Sequence, residues 1–362
     1  MDNNENKYPE NSNGEVKQRQ YYYESNVKTK KKMPSWIKAI IIIVAVILGI
    51  VLLTKGCSNA VEDFISGFSS GIVAEESNEV TTDFGHDYIG TVYVEGTIQE
   101  GSNDTYNHQY ILNSIDAMME DSENKGIILY VDTPGGSVYA ADELYFKIKE
   151  YQEKTKRPVY SSMQSMAASG GYYISAPCDK IIANRNCWTG SIGVTLGTIY
   201  DISGLLDKMG IKTQTITSGA NKAMGGSTEP MTKEQKEIFQ SMVDEAYEQF
   251  TGIVAQGRNM DVSKVKKLAD GRIYTAKQAV ENGLVDQIGT YQEAINDMKK
   301  EYKLDDCEVE EFKNYASTSL RDILGISSGL TQKQSIADAD SVKELAELNG
   351  TFELNYISEI RK

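Results

Sequence analysis

Histidine is almost missing from this 362-residue chain; His86 and His108 are the only two. Both precede the expected core of the sheet and stand in polar, loop-like stretches, so each reads as an exposed loop histidine, and chemistry built on an imidazole base is poorly supported. Cysteine is scarce as well. Cys57, Cys178, Cys187 and Cys307 show no metal-ligand spacing. Cys178 and Cys187 can pair in an oxidising compartment, although buried free thiols are the default expectation. Positive charge is in deficit, with 37 Lys and Arg against 52 Asp and Glu and a net charge of -15, which argues against nucleic acid as a partner. No internal repeat is evident.

The charge is also uneven. Residues 1–33 carry seven basic and five acidic side chains, whereas residues 56–362 carry 28 and 47, so the two ends are expected to face different surroundings. Residues 1–33 are rich in Asn, Lys, Glu and Tyr without an apolar period, the composition of a disordered tail. Ala39 to Leu53 is then an unbroken apolar run, and residues 34–55 read as one transmembrane helix with Lys38 snorkelling at its start. Lys28, Lys30, Lys31 and Lys32 precede the run and Lys55 alone follows it, which puts the N-terminus in the cytoplasm and the rest outside. A cleaved signal peptide shares the basic front and apolar middle, but the long preceding tail and the lack of a small-x-small cleavage site favour an uncleaved anchor. Lys55 stands against a lipidated Cys57.

Residues 56–85 read as a short amphipathic helix and polar linker. From Tyr88 onward short β-rich runs alternate with helical ones. Tyr88–Val94, Gly126–Val131, Val159–Met163, Lys180–Ala183 and Ile211–Thr217 read as strands. Tyr110–Glu120, Ala140–Glu150, Tyr172–Ala176, Ile199–Met209 and Lys233–Gln256 read as helices. Such alternation predicts an α/β domain with a largely parallel sheet and a site at the C-terminal ends of its strands.

Three stretches at such ends carry chemistry. Gln164 to Tyr173, QSMAASGGYY, takes an apolar strand into a serine, two glycines and a helix start. Ser169 there is either a nucleophile on a strand-to-helix corner or part of a small-residue turn that only packs a helix on a sheet. Asp132 to Ser137, DTPGGS, is either a tight connection or a turn whose free amides can hold an oxyanion. Lysine can replace histidine as a base if desolvation lowers its pKa from about 10.4 towards neutrality. Lys222 lies in SGANKAMGGS with no carboxylate within six residues on either side, though it also reads as a solvated loop lysine. Ser191, in TGSIGV, is either a hydroxyl that orients a lysine amine or a turn serine.

The order DTPGG, ASGGYY, TGSIGV, SGANK and GRIYTAKQAVENGLVDQIG resembles the signal peptide peptidase A (protease IV) family, in its single-domain, membrane-anchored Gram-positive form. The likeness covers about residues 86–300. It implies a Clp-protease/crotonase-like α/β fold, a Ser/Lys dyad without metal or cofactor, and a homo-oligomer. Carried over by motif, Ser169 is the nucleophile, Lys222 the general base and Ser191 its hydrogen-bond partner, with the amides of Gly136 and Gly170 as the oxyanion hole. Thr133 and Ala276 depart from the family pattern at positions with no catalytic group. The implied substrates are remnant signal peptides and similar hydrophobic peptides at the membrane. A crotonase-like acyl hydrolase and a catalytically silent scaffold that binds membrane peptides are the competing readings.

Residues 301–362 form an acidic extension of mixed texture. Asp305–Phe312 reads as a last strand, Ser341–Leu348 as a short helix, and Thr351–Ile357, TFELNYI, as an extended apolar alternation after a polar linker. That segment is either a flexible tail or a peptide that lies in the groove of its own or a neighbouring protomer and restrains activity.

Overall fold

A computed structural model describes residues 78, 80–103, 105–313 and 355–357, all within the compact unit Val73–Lys362. The expected cytoplasmic tail, the apolar run at 39–53, Cys57, most of the linker and the helix expected at 341–348 lie outside the described residues.

The domain opens with β1 (Tyr88–Glu95), α1 (His108–Glu120) and β2 (Asn124–Thr133). β3 (Gly135–Ser137) leads into α2 (Val138–Thr155), where Ser137 caps the helix by accepting the Ala140 N–H at 3.4 Å. β4 (Val159–Ala168), α3 (Gly170–Ser175), β5 (Lys180–Ala183) and β6 (Trp188–Gly190) come next. An exposed arm containing α4 (Ser203–Lys208) runs to α5 (Lys233–Gly257) and α6 (Val262–Leu268). β7 (Ile273–Thr275), α7 (Ala276–Glu281), β8 (Gln287–Ile288), α8 (Tyr291–Tyr302) and β9 (Glu308–Phe312) complete the main body. Last comes β10 (Asn355–Ile357). Thr232, Thr275 and Thr290 each start a helix with a reciprocal capping box, so α5, α7 and α8 begin where the Thr-x-x-Gln/Glu spacing places them.

Eight strands form one sheet in the order β7-β6-β4-β2-β1-β9, with β5 beside β4 and β8 beside β5. Every pairing in it is parallel except β6 with β7. Both faces are covered, which is why β2 reads as a continuous apolar run rather than an alternation. Ile127, Leu129 and Val131 face the larger core with Leu144, Ile148 and Tyr173. Ile128 faces the smaller one, beneath Ala294, Ile295 and Met298 of α8. Full burial of an isoleucine such as Ile128 stabilises the fold by about 1.5–3 kcal/mol.

The arm and the histidines depart from expectation. Helix forms only over Ser203–Lys208, and 211–217 is unpaired. Among the described residues no neighbouring strand accepts its alternation, and Ile211 and Ile216 are exposed by 37 % and 87 %. His108 is buried rather than an exposed loop residue. Its Nε2–H donates to Glu143 Oε2 at 3.0 Å, which leaves Nδ1 to accept the Tyr106 hydroxyl at 2.7 Å and ties α1 to α2. His86 is half-buried and hydrogen-bonded to Glu310 at 3.1 Å. Cys178, Cys187 and Cys307 are buried free thiols, and burial pushes the Cys187 thiol up to about 12.

Candidate active site

Ser169 sits between β4 and α3 with φ 54° and ψ −114°, a conformation that side-chain-bearing residues rarely adopt. Two hydrogen bonds hold it there: its N–H donates to Gly190 O at 2.8 Å, and its carbonyl accepts the Tyr173 N–H at 2.9 Å. The helix behind it is pinned in turn. Ser161 donates to Ser175 Oγ at 2.8 Å, Ser175 donates to Gly171 O at 2.7 Å, and the Tyr172 hydroxyl donates to Leu284 O at 2.8 Å. Strain in the turn is therefore opposed by a fixed strand before it and a fixed helix after it.

The DTPGG turn meets this elbow backbone to backbone. Thr133 Oγ1 accepts the Gly135 N–H at 3.0 Å and shapes the turn. A Cβ on Gly170 would stand 3.2 Å from Gly136 N, and a Cβ on Gly135 would stand 2.6 Å from Gly170 N. Only glycines permit that approach, so the amides of Gly136 and Gly170 share one small region of the surface. Beyond them the third motif closes the group. Ala168 pairs with Gly190, and Ser191 comes after it at φ 49° with its N–H donating to Arg272 O at 2.8 Å. Gly271 N–H donates to Ile192 O at 3.1 Å, and Arg272 pairs with Asp270, so the GR of GRIYT is structural.

The structure thus brings Ser169, Gly136, Gly170 and Ser191 together. Lys222 stands apart: it is exposed in the arm, and no hydrogen bond joins it to Ser169 or Ser191. Its loop is tied instead to the start of α5, where Asn221 Nδ2 donates to Glu234 at 3.1 Å and Gln235 Nε2 donates to Ala220 O at 3.3 Å.

A peptide strand lies across the glycines. β10 pairs antiparallel with β3, Tyr356 opposite Gly136 and Ile357 opposite Gly135. The Tyr356 carbonyl oxygen occupies the space a side chain on these glycines would fill, 1.9 Å from a Cβ on Gly135 and 3.2 Å from one on Gly170. The Tyr356 ring is fully buried between Tyr173 and Phe250, with centroids 4.7 Å away in both cases, and its hydroxyl donates to Ala246 O at 3.0 Å. Below it the Tyr173 hydroxyl donates to Asp142 at 2.5 Å, and Gln249 donates to both at 2.7 and 3.0 Å. Burial, reinforced by the Asp142 carboxylate, pushes the Tyr173 phenol up, so it stays a donor. The sequence marks SGGYY only as a helix start, and nothing marked Phe250 or Gln249 within a long amphipathic helix.

Residues 151–305 match the model of peptidase family S49. An Enterococcus faecium protein assigned as a signal peptide peptidase SppA is 46 % identical over 213 residues, 59 % of this chain and 61 % of that protein's own length. A Methanocaldococcus jannaschii protein assigned as a protease is 34 % identical over 257 residues, 68 % of this chain and 81 % of that protein. Protease 4 of Haemophilus influenzae is 37 % identical over 211 residues, 58 % of this chain and 34 % of that protein. The chain accordingly belongs to peptidase family S49, the serine peptidases that include signal peptide peptidase SppA and protease 4.

Proposed function

We propose that this serine peptidase is a membrane-anchored endopeptidase that hydrolyses remnant signal peptides and similar hydrophobic peptides through a Ser169/Lys222 dyad. The observation that carries the proposal is the strand β10 lying over the glycine turn, with a backbone carbonyl against Gly135 and Gly170 beside Ser169. A substrate bound in the same way presents its scissile carbonyl to Ser169 Oγ and to the amides of Gly136 and Gly170.

The neutral Lys222 amine takes the Ser169 proton as Oγ bonds to the carbonyl carbon. The carbonyl π electrons move to oxygen, which the two amides hold. Collapse breaks the C–N bond, and the lysine ammonium protonates the leaving amine. A water oxygen then bonds to the acyl carbon as the same lysine takes its proton, and collapse breaks the C–Oγ bond while the lysine ammonium returns that proton to Ser169 Oγ. Ser191 orients the lysine. A lysine acts as a base only once it is desolvated, and Lys222 is exposed in the single chain. The arm that carries it also exposes Tyr200, Leu205, Met209 and Ile216. Both facts support assembly of several copies, in which the arm is covered and Lys222 meets the Ser169 site of a neighbour.

The anchor rests on the apolar run at 39–53 and the lysines before it; among the described residues no helix is long and apolar enough to cross a membrane. β10 fills the groove that substrate needs, so the tail restrains turnover until displaced.

The test is cleavage of a fluorogenic signal-peptide-like substrate by the full chain in detergent micelles, beside a polar peptide of equal length. Loss of activity in folded Lys222→Ala, with preference for the hydrophobic peptide, supports the proposal. An active, folded Lys222→Ala places the base elsewhere, and equal turnover of both peptides removes the substrate assignment.

A further inference from the structure

The strand that delivers Ser169 is interrupted just before it does so. β2 and β4 run in register from Ile127 opposite Val159 to Val131 opposite Met163, and the ladder resumes with Thr133 opposite Ala167. Between these points β2 advances by one intervening residue, Asp132, while β4 advances by three: Gln164, Ser165 and Met166. That is a β-bulge, a device that bends a strand and re-aims the residues beyond it.

The bulge is also where β4 changes neighbours. Before it, Tyr160–Met163 pair with Lys180–Ala183 of β5; after it, Met166–Ala168 pair with Trp188–Gly190 of β6. The strand thereby leaves the regular sheet and runs towards Gly190, the residue whose carbonyl holds the Ser169 amide. The three residues lose their β2 ladder partners, and here one carboxylate ties two of them back to β2. Asp132 Oδ1 accepts the Ser165 hydroxyl at 2.7 Å and the Met166 N–H at 3.0 Å. Gln164, the remaining bulged residue, folds back to donate to Ser162 O at 3.0 Å and Ser162 Oγ at 2.9 Å. The main chain of Asp132 fixes a further segment, its carbonyl accepting the Gly96 N–H at 3.1 Å. Asp132 also begins the DTPGG turn, so the two chain segments it joins are those that carry Gly136 and Ser169.

We infer that Asp132 is a positioning residue for the peptidase reaction: its carboxylate fixes the β4 bulge and so sets Ser169 and Gly170 against the glycine turn of β3. It acts through the bulge without touching substrate. The inference rests on the assignment of Ser169 as nucleophile. Misplacement of reacting groups by about 1 Å costs roughly 100-fold in rate. Binding along β3 does not pass through the bulge, so the effect falls on kcat.

The experiment measures kcat and KM of the full chain on the fluorogenic peptide, the rate of Ser169 labelling by a fluorophosphonate, and the unfolding midpoint. Parent, Asp132→Ala, Asp132→Asn, Ser165→Ala and Ser169→Ala are compared. Asp132→Ala is expected to lower kcat and the labelling rate by about 30- to 100-fold, with KM within about twofold. Asp132→Asn keeps an oxygen that accepts both bonds and is expected to restore most of the rate. Ser165→Ala removes one exposed bond and is expected to cost about threefold. Parental kcat in folded Asp132→Ala, beside an inactive Ser169→Ala, overturns the inference; so does an equal loss in the Ala and Asn variants, which would make charge rather than geometry the cause. If Asp132→Ala does not fold, parental rates in Ser165→Ala and Asp132→Asn labelling no faster than one-hundredth of parent overturn it equally. Parental turnover by Ser169→Ala removes the nucleophile assignment and this inference with it.

Discussion

Tyr356 stacks on Tyr173 with ring centroids 4.7 Å apart and planes 26° from parallel, so β10 is anchored on the helix that opens at Ser169. An intramolecular strand in the groove competes with any peptide at high effective concentration. Tyr356→Ala forfeits the ring's burial and its hydroxyl bond, and is expected to lower the apparent KM for a short hydrophobic peptide by about tenfold, equivalent to about 1.4 kcal/mol. Initial-rate kinetics check this; an unchanged KM would make β10 a bystander.

Neither the glycine turn of β3 nor the start of α3 has room for an added side chain. A Cβ on Gly136 would stand 1.8 Å from Ile98 O, and one on Gly171 would stand 2.7 Å from Thr133 Cγ2. Gly136→Ala must shift backbone and is expected to lower kcat at least 100-fold, the scale for loss of one oxyanion donor. Gly171→Ala meets the Thr133 methyl first and backbone only at 3.3 Å, the Thr133 carbonyl oxygen, so its loss is expected to be smaller. Steady-state kinetics, with circular dichroism to verify folding, separate the two.

Strain at Ser169 predicts a stability difference between two inactive variants. Ser169→Ala keeps the Cβ that makes φ 54° costly, whereas Ser169→Gly removes it. Ser169→Gly is therefore expected to be the more stable by about 1 kcal/mol, a rise of a few degrees in unfolding midpoint. Differential scanning calorimetry of the pair provides the check, and a less stable glycine variant would mean the elbow is relaxed.

Lys222 bears on assembly. If the dyad is completed across an interface, neither Ser169→Ala nor Lys222→Ala alone hydrolyses peptide, but co-expressed at equal levels they regain about a quarter of parental activity, because one site in four joins an intact serine to an intact lysine. A dyad within one protomer gives no recovery.

Much of the fold was legible from β1, β2 and β5 because buried parallel strands are nearly continuous apolar runs, and from α5 because its amphipathic period is long. The positions of Ser169 and both glycine turns at strand ends were legible because glycine and other small residues there permit sharp turns and close backbone approach. The arm was not. Ile211–Thr217 has a strand's texture, but pairing needs a partner edge, and none lies beside it among the described residues. The burial of His108 is hidden from the sequence because it depends on Tyr106 and on Glu143 of another helix. Asp132 is hidden for the same reason: its role depends on a bulge in a strand more than thirty residues away.

The most direct test of the central claim is peptide hydrolysis by the full chain and by Ser169→Ala, both verified as folded. Turnover by the parent and at least a 1,000-fold loss in Ser169→Ala is the predicted result, the scale on which removing a serine nucleophile acts. Equal turnover by the two proteins would contradict the assignment of Ser169.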